Sequence, residues 1–244
     1  PEGISLKQQL GAVALAKAAQ ICFQRLAQKQ LTVDEVFEPR AMVETIRALE
    51  KPYTTSQLHP DLNDFSSTNA FWLNIYSGAE PGTGDPGKLV GTSGARCDRI
   101  REGEFAAFFE DQLKRLHGGT QTIPLKSTDH PPEFADMRGT IVYLGDFFVL
   151  KDFRGAGFDK RFYTLLLYIT AMMQWDFDWL YLFITEKHAR NGYASDYCLT
   201  TSYPTSLLWT EAPSYRSDSD HLGLLSRHQF NWLIKRLLAR PDLF

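Results

Sequence analysis

Residues 149–157 read VLKDFRGAG and run on into FDKRF. An apolar stretch ends here and a long amphipathic stretch begins, so the glycines sit in a strand-to-helix turn. Such a turn suits phosphate chemistry. Successive backbone N–H groups converge on an anion, and the helix starting behind them adds its positive dipole end. Gly155 and Gly157 allow close backbone approach, and Arg154 adds a charge-assisted donor.

Three phosphate sites compete for this turn. A nucleotide P-loop needs G-x-x-x-x-G-K-S/T, and no such string is present. A dinucleotide turn needs G-x-G-x-x-G. Gly155 and Gly157 fit it, but Lys160 stands at the third glycine position. The acidic residue expected after the next strand is also missing, since WLYLFI is followed by Thr185 and Glu186 comes too late. A coenzyme A pyrophosphate loop needs only the incoming strand, the turn and the helix start, and it is the best account of the string.

Val149, Arg154, Gly155 and Gly157 resemble motif A of the GNAT N-acyltransferase superfamily, V-x-P-x-x-R-G-x-G-x-G/A. Lys151 replaces the proline, and Asp159 replaces the final small residue, where it either repels pyrophosphate or caps the helix. A second family pattern, N-x-x-A-x-x-x-Y-x-x-x-G-F, is matched by Asn191 and Ala194. Cys198 stands at its tyrosine position, Tyr197 lies one residue early, and Ser202–Tyr203 replaces Gly-Phe. The resemblance covers roughly residues 70–215; the N-terminal 65 residues and the last helix fall outside it.

The resemblance implies acetyl-CoA or another acyl-CoA as substrate, with no metal. Phe148, Val149, Leu150, Arg154, Gly155, Ala156, Gly157, Phe158, Asp159 and Asn191 would hold it. The pantetheine arm would pair with the strand ending at Val149 like an added strand. The thioester would sit where that strand and WLYLFI splay apart. An amine or amino acid acceptor would attack directly, with a base or water taking its proton and an acid protonating the thiolate. Tyr197 is the first choice for the acid, against a plain buried or surface aromatic. Cys198 holds the family position, against a small core residue.

Asp146 lies inside the apolar run YLGDFFV. An unpaired carboxylate there has a raised pKa and suits a general base. The other readings are a structural partner of an Arg or Lys, or a solvent-facing edge position. His130, Glu133 and Asp136 either reach the acceptor or belong to a polar loop. Phe147, Phe148, Phe153, Tyr181, Phe183 and Trp209 suit a long acyl chain or a core. Two alternatives to acetyl transfer follow: long-chain transfer from acyl-CoA or acyl carrier protein, as in autoinducer or N-acyl amino acid synthases, and a non-catalytic acyl-CoA sensor.

The elements that must position these residues are legible as periodicities. Helices are expected over 5–29, 32–50 (capped by Thr32 with Glu35, kinked at Pro39), 102–117, 158–175, 186–199 and 222–240. In the 158–175 helix Phe162, Leu165, Leu166, Ile169 and Met173 form the buried stripe. Strands are expected over 71–77, 88–99, 140–150, 179–184 and 206–210. AEPGTGDPG joins the first two as a hairpin. A loop of about twenty residues precedes the third, long enough to be a lid. The expected fold is α/β: a mixed central sheet with a GNAT-like strand–turn–helix core, extra N-terminal helices and a C-terminal helix. Residues 1–69 pack on the 70–244 domain as one unit.

The 244 residues carry a net charge of −3, with 43% hydrophobic and 23% charged residues. That is ordinary for a globular chain and offers no bulk attraction to nucleic acid or membrane. Three scattered cysteines form no disulfide framework, and a cytoplasmic monomer or homodimer is expected. The six histidines lack ligand spacing, so no metal site is expected. No G-x-S-x-G elbow appears. Lys235, Arg236 and Arg240 read as a solvated face.

Overall fold

The computed structural model describes residues 10–78, 85–118 and 130–244. The first residues of the expected N-terminal helix (5–9), most of the hairpin connection (79–84) and the centre of the long loop (119–129) lie outside them.

Among the described residues seven strands form one sheet, ordered β1-β2-β3-β4-β5-β7-β6. They are β1 (Leu31–Val36), β2 (Ala70–Ser77), β3 (Lys88–Ile100), β4 (Gly139–Val149), β5 (Trp179–Ile184), β6 (Thr201–Tyr203) and β7 (His221–Ser226). β4 and β5 are the one parallel pair; the other neighbours are antiparallel. The near-continuous apolar runs of β4 and β5 suit central strands covered on both faces. The architecture is the mixed α/β one expected.

One face is covered by α1 (Ala12–Ala27), α4 (Lys160–Trp175) and α7 (Arg227–Ala239), which share the larger core. Leu15, Ala18, Cys22 and Leu26 recur at helical spacing and are buried there. α4 is buried from Phe162 to Met172. It lies between sheet and α1, so it is apolar nearly all round. Met173, expected in its buried stripe, is 57% exposed, because it falls in the last turn beyond that run. The other face carries α3 (Phe105–Gly118) over a second core of Phe105, Phe109, Phe134, Tyr143 and Tyr181.

Four expectations change. Residues 32–36 are strand, not helix: LTVDEV is β-branched and pairs antiparallel with β2, from Leu31↔Ser77 to Val36↔Trp72. The helix there, α2 (Pro39–Ala48), starts at Pro39, where a fixed φ and absent N–H cost nothing. The expected 186–199 helix is two short ones, α5 (Glu186–Arg190) and α6 (Tyr193–Asp196). Gly192 between them has φ +79°, a left-handed turn that glycine allows. Residues 206–210 are no strand of the sheet; Leu207 and Trp209 are buried in the second core instead. The strand is His221–Ser226, and the last helix begins only at Arg227. There Ser226 and Gln229 form a reciprocal capping box.

Candidate active site

β4 and β5 pair only from Ile141↔Trp179 to Leu144↔Leu182. Beyond Leu144 the strands part. β5 stays with β7, and β4 stays with β3. At the parting point β4 carries a bulge: Gly145 pairs with Gly94 and Phe148 with Thr92, so Asp146 and Phe147 oppose Ser93 alone. Asp146 takes φ +58°, which aspartate tolerates better than most residues. Ser93 Oγ is 2.7 Å from Tyr163 Oη, and the Tyr163 hydroxyl donates to Leu73 O at 2.8 Å. These bonds pin α4 beneath the bulge.

A cleft of about 840 Å³ opens where the strands separate. One end is basic. Arg154 is exposed and folds across the turn, its Nε donating to Val149 O at 2.7 Å. Gly155 has φ +76° with open space beside it. Asp159 caps α4, accepting from Phe162 N at 3.4 Å. The N–H groups of Lys160 and Arg161 precede the first intrahelical bond. The side chains of Lys160 and Arg161 share Asp196 at 3.5 and 3.9 Å, and both line the cleft.

The other end is polar and deeply buried. Asp146 Oδ1 accepts from Lys51 Nζ at 2.9 Å and from Thr55 N at 2.8 Å, while Oδ2 has no partner. Arg216 lies over the Phe183 ring at 4.3 Å and donates to Tyr143 Oη at 3.4 Å. Tyr53 and Tyr215 stack with centroids 5.1 Å apart. Behind Tyr215, its hydroxyl meets Ser56 Oγ, and His117 Nδ1 lies 3.3 Å away. Burial, with Arg216 adding to it, pushes the His117 imidazole down to about 4.

Of the residues singled out from sequence, Asp146, Phe148, Val149, Arg154, Gly155, Phe158, Asp159 and Tyr197 line the cleft. Leu150, Gly157, Asn191 and Cys198 do not; the side chain of Ala156 lies outside the described residues. Leu150 packs on the core, and Asn191 ends α5. Cys198 is buried with its thiol pushed up to about 12, chiefly by burial, against the pull of Arg161. Tyr197 is 6% exposed and tilts against Phe147 at 4.9 Å, and burial raises its phenol. His130 pairs with Glu110 at 2.9 Å and Glu133 bonds Tyr203, so these two fasten their loop to α3 and β6. Neither they nor Asp136 line the cleft. Of the six aromatics considered for an acyl chain, Phe147, Phe148 and Phe183 line it, whereas Phe153 packs on the larger core and Tyr181 and Trp209 belong to the second.

Sequence reasoning missed Lys51, Tyr53, Thr55, Tyr143, Lys160, Tyr215 and Arg216. Most come from aperiodic segments after α2 and before β7, where no spacing rule points inward. The density of Tyr, Arg and Asp in SYRSDSD was the one available signal. Among the described residues no cluster of three His, Cys, Asp or Glu is arranged to hold a metal, and no helix is long and apolar enough to cross a membrane.

No protein-family model matches the chain, and no curated protein does. Solved structures that the chain resembles include Arabidopsis thaliana NAA60 in complex with acetyl-CoA. It is 12% identical, with 80% of this chain and 98% of that one covered and a TM-score of 0.44. FeeM, an N-acyl amino acid synthase from uncultured soil microbes, is 12% identical, with 83% and 93% covered and a TM-score of 0.44. A mutant of the spermidine N-acetyltransferase SpeG from Vibrio cholerae is 8% identical, with 83% and 96% covered and a TM-score of 0.43. At such identities the chemistry rests on this chain's own residues.

Proposed function

We propose that this chain is an N-acyltransferase that moves an acyl group, acetyl by default, from acyl-CoA to an amine by direct attack. The observation that carries this reading is the parting of β4 from β5 at Leu144–Leu182. The freed stretch Gly145–Val149 leads straight to Arg154, Gly155 and the start of α4. A strand edge without a neighbour suits the amides of a pantetheine arm. The residues at the basic end fit a pyrophosphate: Arg154, Lys160 and Arg161 outnumber Asp159 and Asp196 around a helix start. Asp159 is engaged as the helix cap, accepting from Phe162 N, which supports a structural role for it at this position.

The acceptor enters from the buried polar end. Its nitrogen bonds to the thioester carbonyl carbon, the C–S bond breaks, and the acyl group stays on nitrogen. Asp146 Oδ2 accepts the amine's N–H, and the surplus proton leaves through water. Tyr197 donates its proton to the departing thiolate and is reprotonated from water, which returns the proton the amine gave up. Phe147, Phe148 and Phe183 along the cleft favour acyl chains longer than acetyl as a second reading.

Thermal unfolding with acetyl-CoA, octanoyl-CoA and free coenzyme A tests this function. Bound ligand raises the melting temperature by mass action. No shift with any of them at millimolar concentration overturns the reading. A mass-spectrometric screen of amines with the acyl-CoA giving the largest shift then identifies the product.

A further inference from the structure

Arg216 reaches the cleft from the irregular segment between β6 and β7, and its side chain is 6% exposed. A guanidinium carries five N–H donors, and buried donors are normally satisfied. Here one long bond goes to Tyr143 Oη at 3.4 Å, and Nε has no partner. Its nearest carboxylate, Asp220, stays at 3.7 Å, and Asp220 Oδ2 is itself without a hydrogen bond. The Phe183 face against the guanidinium supplies cation–π attraction but accepts no N–H in its plane.

The other charges at this end are already matched. Lys51 and Asp146 neutralise each other at 2.9 Å. Asp220 offsets the Arg216 charge at 3.7 Å but is too far for a hydrogen bond, so Arg216 is the one cation lining the polar end whose guanidinium keeps an unpartnered buried donor among the described residues. A second ammonium on the acceptor would be repelled there; a carboxylate would complete the fork. The stacked Tyr53 and Tyr215 offer an apolar wall beside it.

We infer that the acceptor is a free α-amino acid, its carboxylate held by Arg216 while its amine lies against Asp146 at the strand junction. The inference rests on the acyltransferase reading and narrows it. Arg216 is a specificity-determining residue, and the preferred side chain is apolar or aromatic, to lie on the tyrosine pair. Polyamines and amines lacking a carboxylate are poor acceptors.

The test compares matched pairs on the unmodified protein: L-phenylalanine with phenethylamine, L-leucine with isopentylamine, and spermidine beside them. Thiol release from the acyl-CoA that stabilises the protein is the assay. The amino acid of each pair is expected to exceed its amine by about 100-fold in kcat/KM, since a site built for a polar group rejects the analogue lacking it. Arg216→Gln should bring that ratio to about unity, and Arg216→Lys should restore part of it. The acyl-CoA thermal shift, read on each variant, certifies the fold. Equal use of amines and amino acids by the unmodified protein overturns the inference and leaves acyl transfer standing. So does an unchanged ratio in Arg216→Gln. Absence of any acyl-CoA thermal shift overturns both readings, and it is distinguishable because it appears before any acceptor is added.

Discussion

Lys51 Nζ lies 2.9 Å from Asp146 Oδ1, with the two side chains 4% and 0% exposed. The pair joins the segment after α2 to the bulge of β4 and so builds the wall between sheet and cleft. Removing one partner of such a pair strands a buried charge. Lys51→Met and Asp146→Asn are each expected to lose about 3–5 kcal/mol of stability. The double variant should lose clearly less than their sum. Urea unfolding of the three variants checks this, and strict additivity would show that the two charges are not coupled.

The basic turn makes a separate prediction, about affinity. Acetyl-CoA at a hundred times its Kd should add about 2.7 kcal/mol of stability. Arg154→Ala and Lys160→Ala each remove a cation at the mouth, and each should raise Kd by about tenfold, the size of one charge-assisted hydrogen bond. Gly155→Val should weaken binding more, because a β-branched residue resists φ +76° even though the space beside Gly155 is open. Calorimetric titration at two salt concentrations measures all three, and the cation variants should also flatten the salt dependence. Unaltered affinity in all of them would place the phosphates elsewhere.

How much of this was legible beforehand follows from where each residue gets its position. β4, α4 and β5 announce themselves through long apolar runs, and the turn between them carries Arg154 and Gly155 in plain view. Lys51 is different, since it acquires its partner only 95 residues away. Arg216 likewise sits in a segment whose conformation is set by Asp220 and Tyr143, not by local pattern. The misread elements have the same root. Thr32 and Glu35 imitate a capping box, yet LTVDEV is taken by the open edge of β2. HLGLLS looks like the start of the last helix, but Gly223 lies where a Cβ would meet Leu199 at 2.3 Å, a close approach that belongs to a strand.

His117 gives the stability a pH dependence with a definite sign. Its imidazole has a folded pKa of about 4 against 6.5 when unperturbed, through burial and then Arg216. Between these values the unfolded chain binds the proton that the folded one refuses, so stability falls as pH drops from about 6.5 to about 4. Above that window the contribution is complete. Other groups titrate in the same range, so the diagnostic is the difference between the native protein and His117→Gln. The variant should show a shallower loss across this window when urea midpoints are compared. Identical slopes would mean that His117 is protonated in the folded state as easily as in water.

Tyr197 and Cys198 are neighbours in sequence but only Tyr197 lines the cleft, and their substitutions should separate accordingly. Burial raises the Tyr197 phenol, with Tyr193 and Asp196 adding to the effect, so the proton is present at neutral pH. A phenol so reluctant to ionise is a weak acid, and a thiolate with a pKa near 8.5 leaves without much help. Tyr197→Phe should therefore lower kcat by only about tenfold, below the usual range for general acid catalysis, with the acyl-CoA thermal shift retained. Cys198 Sγ is turned toward Asp196 O at 4.0 Å and lies outside the cleft lining. Cys198→Ala keeps a small apolar side chain at the same left-handed backbone position, φ +51°, and should change kcat by less than about twofold. A larger loss in Cys198→Ala than in Tyr197→Phe would reverse the assignment and return the acid to the position the family pattern marks.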